Sequence, residues 1–384
     1  VRAESIARRL FAALSSLSLA GVLLGLLALL TFLGTLAQVE HGLYDVQKRY
    51  FESLLLVHEF GGVPVPLPGG GLVMGLLFVN LALGGVVRIR KVRRTAGVLV
   101  AHVGMLVMLA AGFVKYARGV EGHVTLYEGE SADWFQSYTE SELYVAEIVG
   151  GRPAREWVVP ARDLAGAGPS RVVEPQGLPF GLGVTHWYDN ADVRPAVPGH
   201  ASGAPVVAGY AMHALPRERE AERNGPGAVV GLVTGDGRRE TALLWAFAAA
   251  PHTLRDGERT FVLDLRRARH ALPFTIALDD FTKEDHPGTT MPAWFSSDVT
   301  VGSGGVARPV VISMNEPLRE GGVVAYQASW GPQGAAPGAP LFSTLAVVRN
   351  PADQWPLASC VVIALGLLFH FGRMLVGHVR REVR

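Results

Sequence analysis

Twelve histidines are spread over 384 residues, and imidazole is the side chain here best suited to bind a metal or move a proton near neutral pH. Two of them, His102 and His370, fall inside long apolar stretches. An ionisable group in hydrocarbon is costly, so each is a functional candidate by default. Neutral imidazole is also a good axial ligand for iron. His102 stands beside Gly97, Ala101 and Gly104, a row of small residues that permits close helix packing. Iron ligation and a hydrogen bond to a neighbouring helix's carbonyl are both open to it on these grounds. His370, three residues before Arg373, reads as interfacial, where a structural role suffices. His41 and His58 lie between the first two apolar stretches and are placed to line a groove at a membrane surface. His123, His186, His200, His213, His252, His270 and His286 are scattered, without the spacing of a metal site.

Other chemistry is thinly represented. There is no nucleophile elbow, phosphate-binding loop, His-Glu-x-x-His or dinucleotide fingerprint. The acidic pairs Asp279-Asp280 and Glu284-Asp285 precede a Pro-Gly turn and read as a solvated loop. The single cysteine, Cys360, excludes an intramolecular disulfide and a Cys-x-x-Cys-His haem attachment site. Within an apolar stretch it reads as a small packing residue.

The elements that must position these residues follow from charge patterning. Only 18% of the chain is charged and 49% is hydrophobic. Four segments are free of acidic and basic side chains and apolar over residues 10–36, 71–87, 95–114 and 354–372. About 20 apolar residues cross a bilayer, so these predict four transmembrane α-helices, the second being short and glycine-rich. The first is too long for a cleaved signal peptide and reads as a retained anchor. Basic residues cluster before the first span (Arg2, Arg8, Arg9), between the second and third (Arg88, Arg90, Lys91, Arg93, Arg94), and after the fourth (Arg373, Arg380, Arg381, Arg384). By the positive-inside rule these ends are cytoplasmic, with both termini inside.

Residues 115–354 then form one large extracytoplasmic domain, between a membrane region over 1–114 and a final span with a basic tail over 355–384. Residues 115–353 hold 21 basic and 28 acidic side chains, a net charge of −7, which argues against nucleic-acid binding. Strand patterns at 143–148, 274–278 and 299–302 alternate with turn signals at Gly150-Gly151, Asp236-Gly237, Asp256-Gly257, Gly304-Gly305 and Gly321-Gly322. They predict a β-rich, sandwich-like fold. Residues 217–223 alternate in charge and read as a short helix or solvated loop.

Several local strings, in this layout, resemble one known family. The first apolar stretch ends in Leu33-Gly34-Thr35-Leu36, and Arg49-Tyr50-Phe51 follows. Pro287-Gly288, Pro292 and Phe295-Ser296-Ser297 precede Asn315-Glu316-Pro317-Leu318 and then Tyr326-Gln327-Ala328-Ser329. Asn350-Pro351 and Trp355-Pro356 lead into the last span. Together these resemble the ResB family of cytochrome c biogenesis proteins, the haem-handling System II. Residues 150–260 add nothing to the resemblance.

The resemblance implies a bacterial inner-membrane location. It implies work with a CcsA-type membrane protein to move haem b, held non-covalently and transiently, and to support its attachment to apocytochrome c. It implies that His102 is an axial haem ligand. It also leaves thiol reduction to a separate thioredoxin-like protein, because a single cysteine cannot cycle a dithiol. The chain is then part of a haem lyase complex and not an enzyme alone. The competing expectation is a structural or assembly subunit anchored in a membrane electron-transfer complex, with His102 a packing residue.

Overall fold

The computed structural model describes residues 2–165, 172–173, 177–196, 205–289, 291–332, 334, 336 and 338–382. His200 lies outside them. The chain divides into two compact units: Val1–Gly119 with Asn350–Arg384, and Val120–Arg349. The sequence expectation put the domain limits at 115–354.

The first unit contains four helices long and apolar enough to cross a membrane: Leu17–His41, Gly70–Val87, Ala96–Arg118 and Trp355–Glu382. The first span therefore starts at Leu17 and not at residue 10. The cause is a break at Ser15-Ser16, which separates it from a preceding helix, Arg2–Leu14. Ser16 caps the span, its hydroxyl oxygen accepting the Leu19 N–H at 3.1 Å. Carbonyls at the break accept from side chains of the second span. Asn80 donates to Leu14 O (2.7 Å) and Ser16 O (3.0 Å), and Arg88 donates to Ser15 O (3.0 Å) and Ser15 Oγ (3.2 Å). An unsatisfied backbone group in apolar surroundings costs several kcal/mol in hydrocarbon, so these donors are what permits the chain to turn there.

After the first span the chain makes a helical turn, Leu43–Val46, that widens into a π-helical turn, Gln47–Glu52. A hairpin follows, β1 (Leu55–Phe60) and β2 (Val63–Pro68). Two of the strings noted in the sequence meet here: a Cβ on Gly34 would lie 3.1 Å from the Phe51 ring, so the glycine makes room for it. Tyr50 is buried with Leu30, Leu33, Val46 and Val73. The second span is α-helical over Gly70–Asn80 and π-helical over Leu81–Val87. The third and fourth spans pack through small residues. A Cβ on Gly97 would sit 2.5 Å from Gly366 O, and one on Gly366 would sit 2.7 Å from both Gly97 O and the Ala101 nitrogen. The small-residue row beside His102 is thus a helix contact, as the sequence predicts. Cys360 is exposed on the fourth span and does not pack inside the bundle.

The second unit is built of antiparallel sheets. Its strands are β3 (Val120–Tyr127), β4 (Ser131–Val149), β5 (Arg152–Pro160), β6 (Val172–Val173), β7 (Gly181–Tyr188), β8 (Ala191–Pro195), β9 (Val206–Val207) and β10 (Tyr210–Ala214). They continue with β11 (Gly227–Val233), β12 (Arg239–Trp245), β13 (His252–Asp256), β14 (Arg259–Asp285), β15 (Pro292–Ser303), β16 (Val306–Ser313), β17 (Leu318–Glu320), β18 (Val323–Gly331) and β19 (Phe342–Arg349). The main sheet runs β16-β15-β14-β4-β3-β19-β18-β17, with β13 on β14 and β5 on β4. Each of the five glycine turn signals lies between consecutive paired strands, the glycines taking positive φ.

Two cores result. In one, Leu143, Val145, Phe261 and Leu263 of the main sheet face Leu182, Val184, Val230 and Leu232 of the sheet β12-β11-β7-β6, a sandwich. In the other, the main sheet curls, so that Phe135, Ile276 and Leu278 meet Val299, Ile312, Val323 and Leu345. β14 serves both, and register shifts between Arg267 and Arg269 and between Ala271 and Ile276 mark the passage from one core to the other. Asp279, Asp280, Glu284 and Asp285 belong to this strand, correcting the expectation of a solvated loop. Asp279 accepts from Thr300 at 2.7 Å, and Asp285 pairs with Lys283 at 2.9 Å. Pairing with β15 extends the strand through them. The alternating-charge segment contains only a short 3-10 turn, Ala221–Arg223.

Candidate functional site

His102 occupies the third span, one residue beyond Ala101, and its neighbour differs accordingly. Ala101 faces the fourth span, whereas the His102 ring reaches the second. Its Nδ1 lies 2.9 Å from the carbonyl oxygen of Gly85. A carbonyl only accepts, so Nδ1 carries the proton and the lone pair resides on Nε2. The side chain is half-buried, and Nε2 has no hydrogen-bond partner among the described residues. This is the arrangement in which a metal-binding histidine is held: one ring nitrogen donates to fix tautomer and orientation, and the other is left basic.

The second span supplies that carbonyl by two local features. Gly85 belongs to the π-helical stretch, where Arg88 N–H bonds to Leu83 O, five residues back. π turns interrupt the regular ladder and recur at functional sites. Gly85 is also near the helix end, where carbonyls lack an intrahelical donor. A Cβ at this position would lie 2.7 Å from His102 Nδ1 and 3.0 Å from Cγ, so only glycine allows the approach.

The other histidines are held differently. Tyr50 Oη is 2.6 Å from His58 Nδ1, and the His58 ring meets Phe60 edge-on at 4.5 Å. A phenol donates more readily than a neutral imidazole N–H, so Tyr50 donates and His58 keeps its proton on Nε2. His58 thus offers a proton where His102 offers a lone pair. His41 is exposed on the last turn of the first span, where a basic group complements the helix dipole. His370 lies at the small-residue crossing, its backbone against Gly97 and its ring edge-on to Phe371 at 5.3 Å.

In the β unit, His123 Nε2 is 2.8 Å from Gln136 Nε2, and its ring stacks on Tyr138. Burial, with the nearby Arg267 guanidinium, lowers the His123 pKa below its ordinary 6.5. Burial lowers that of His270 as well. His252 pairs with Glu240 at 3.0 Å, and His186 and His286 are exposed. Among the described residues, no three His, Cys, Asp or Glu side chains gather as a metal site.

The strings at 295–297 and 326–329 converge on a buried polar ring. Ser297 Oγ lies 2.7 Å from Gln327 Oε1 and 2.8 Å from Ser343 Oγ, and Gln327 Nε2 is 2.9 Å from Ser343 Oγ. Ser297 and Ser343 are fully buried. One proton assignment closes the ring: Gln327 amide to Ser343, Ser343 to Ser297, Ser297 to the Gln327 carbonyl. Both hydroxyls and one amide N–H have an acceptor in the ring, and such closed chains reinforce one another. Asn315 and Glu316 are exposed, Glu316 forming a bridge with Ser313. Pro317 is half-buried before the buried Leu318, and Tyr326 is exposed.

Sequence reading overlooked Asn80. It is uncharged, so a scan for charges inside apolar stretches passes over it; its burial within a span is the signal.

Fold and site together define a membrane protein with four apolar helices and a large antiparallel β unit. Residues 246–341 of that unit match the model of the ResB-like family, in accord with the resemblance carried by the Asn-Glu-Pro-Leu and Tyr-Gln-Ala-Ser strings. At the level of family this indicates cytochrome c biogenesis. The matched segment contains Ser297 and Gln327; His102 lies outside it. No curated protein matches the chain.

Proposed function

We propose that the helical unit holds haem b in transit, non-covalently, with His102 Nε2 as one axial ligand. In this reading the chain acts with a CcsA-type membrane protein in the inner membrane and supports covalent attachment of the haem to apocytochrome c. The observation that carries it is the Nδ1–H···O=C bond to Gly85, which leaves Nε2 basic in an apolar helix bundle. An amphipathic macrocycle needs apolar walls and an axial nitrogen, and the residues here fit both needs.

The basic clusters support a cytoplasmic location of the termini and an extracytoplasmic one of the β unit, by the positive-inside rule. Arg90, Lys91, Arg93 and Arg94 are then placed to attract propionates; Arg88 is committed to Ser15. The acidic β unit suits a basic apocytochrome. A thioredoxin-like partner supplies the reducing dithiol that Cys360 alone cannot.

The test is purification with the membrane partner, followed by haem absorption spectra and a c-type cytochrome maturation assay, for wild type and His102→Ala. Loss of both haem and maturation is expected. Retention of both would sink the ligand assignment and leave the structural-subunit reading, in which the Gly85 bond is a packing contact. If maturation also continues without the whole chain, the role in cytochrome c biogenesis fails too.

A further inference from the structure

The helix Arg2–Leu14 is joined to the bundle only at its last residues, and residues 6–13 are all exposed. At about 100° per residue, Ile6, Leu10 and Leu14 align with Ala7 and Phe11 on one half of the helix. Arg8 and Arg9 fall on the other half. Ile6 and Leu10 are 56% and 57% exposed, so no protein covers this face among the described residues. An isolated helix of this length is marginal in water. Its amphipathic face therefore requires a surface.

The chain indicates which one. Ser15-Ser16 ends this helix and caps the first span, so it lies where the bilayer begins. Exposed apolar side chains recur on both sides of the corner, at Leu10 and Phe11 of the helix and at Leu17, Val22 and Leu24 of the span. The Arg88–Ser15 bonds hold the same level to the basic loop after the second span. Arg8 and Arg9 thereby share one end of the bundle with Arg90, Lys91, Arg93 and Arg94.

We propose that Arg2–Leu14 lies in the plane of the membrane, its apolar face among the acyl chains and Arg8 and Arg9 on anionic lipid headgroups. The Ser15-Ser16 corner, pinned by Asn80 and Arg88, sets the helix across the span instead of in line with it.

The full chain carrying Cys360→Ser is reconstituted in bilayers with and without phosphatidylglycerol. Single spin labels are placed at Ile6→Cys, Arg9→Cys and Leu10→Cys, and collision with oxygen is compared with collision with a water-soluble nickel complex. Oxygen preference at positions 6 and 10, with nickel preference at 9, is expected. Nickel preference at all three overturns the proposal, as does exclusion of both reagents at 6 and 10, which would mean a protein cover. Phosphatidylglycerol should deepen the label at position 10. Arg8→Gln should weaken that response by roughly fivefold, near 1 kcal/mol per charge at an anionic surface. Equal depth in both lipids overturns the headgroup part.

Discussion

The helical unit and the β unit each fix a polar side chain by hydrogen bonds, yet they finish the job differently. The Gln327–Ser343–Ser297 ring closes on itself, each member bonded to the other two. His102 spends one nitrogen on Gly85 and leaves the other unbonded. Closure marks a structural part, since a satisfied network rigidifies a core. An unspent lone pair on an immobilised ring is what the proposed haem ligation would use. Ser297 and Gln327 of the ring lie inside the family-matched segment, Ser343 lies two residues past its end, and the histidine lies far outside it, so the match and the proposed chemistry rest on different units of the molecule.

Four experiments would break or sharpen that contrast. The largest effect is expected from His102→Ala, which should abolish the haem spectrum while leaving thermal unfolding of the β unit unchanged; a shifted unfolding transition would join what we separate. Gly85→Ala should come next. Its methyl displaces the ring and should lower haem affinity by roughly 10–100-fold, the usual cost of disturbing a ligand's outer partner, read by haem titration. An unchanged titration would mean that the Gly85 carbonyl does not orient the ligand.

Gln327→Leu should leave haem binding intact but destabilise the β unit by about 1–3 kcal/mol, because two buried hydroxyls lose partners. Adding Ser297→Ala and Ser343→Ala should recover part of the loss in denaturant titrations. Additive losses would show that the ring is not a unit.

The smallest effect is the pH dependence of His123. Its native pKa lies below the ordinary 6.5 through burial and Arg267. The unfolded chain thus binds the proton more readily. The β unit should be fully stable on this account above about 6.5 and lose stability as pH falls toward the lowered native value. His123→Gln should flatten the slope of melting temperature against pH in that window, and His270 should contribute in the same direction. An identical slope in the variant would remove His123 from the account.

Much of this was legible in the sequence. Four charge-free stretches gave the apolar helices, because backbone satisfaction in lipid admits few alternatives. Five glycine pairs and Asp-Gly steps gave hairpin turns, because few other residues take positive φ. The break at Ser15-Ser16 was not legible: two serines in an apolar run do not stop a helix unless Asn80 and Arg88 receive the freed carbonyls. Nor was the strand through Asp279–Asp285, since acidic residues are poor strand formers and pairing with β15 overrode that tendency. For the candidate site, the deep position of His102 could be read directly. Its tautomer could not, because that depends on a carbonyl 17 residues away.

The π-helical stretch has a consequence for insertions and deletions. Asn80 and Arg88 both bond to the Ser15-Ser16 corner, with seven residues between them. On a regular α-helix they would point about 80° apart, and the wider turn brings them toward one side. Removing one residue from 81–87 would leave the two seven steps apart, only about 20° off one another on a regular helix, whereas adding one would set them about 180° apart and turn Arg88 away from the corner. The second span is therefore tuned in phase as well as in composition, and it should tolerate an added residue less than any loop in the β unit.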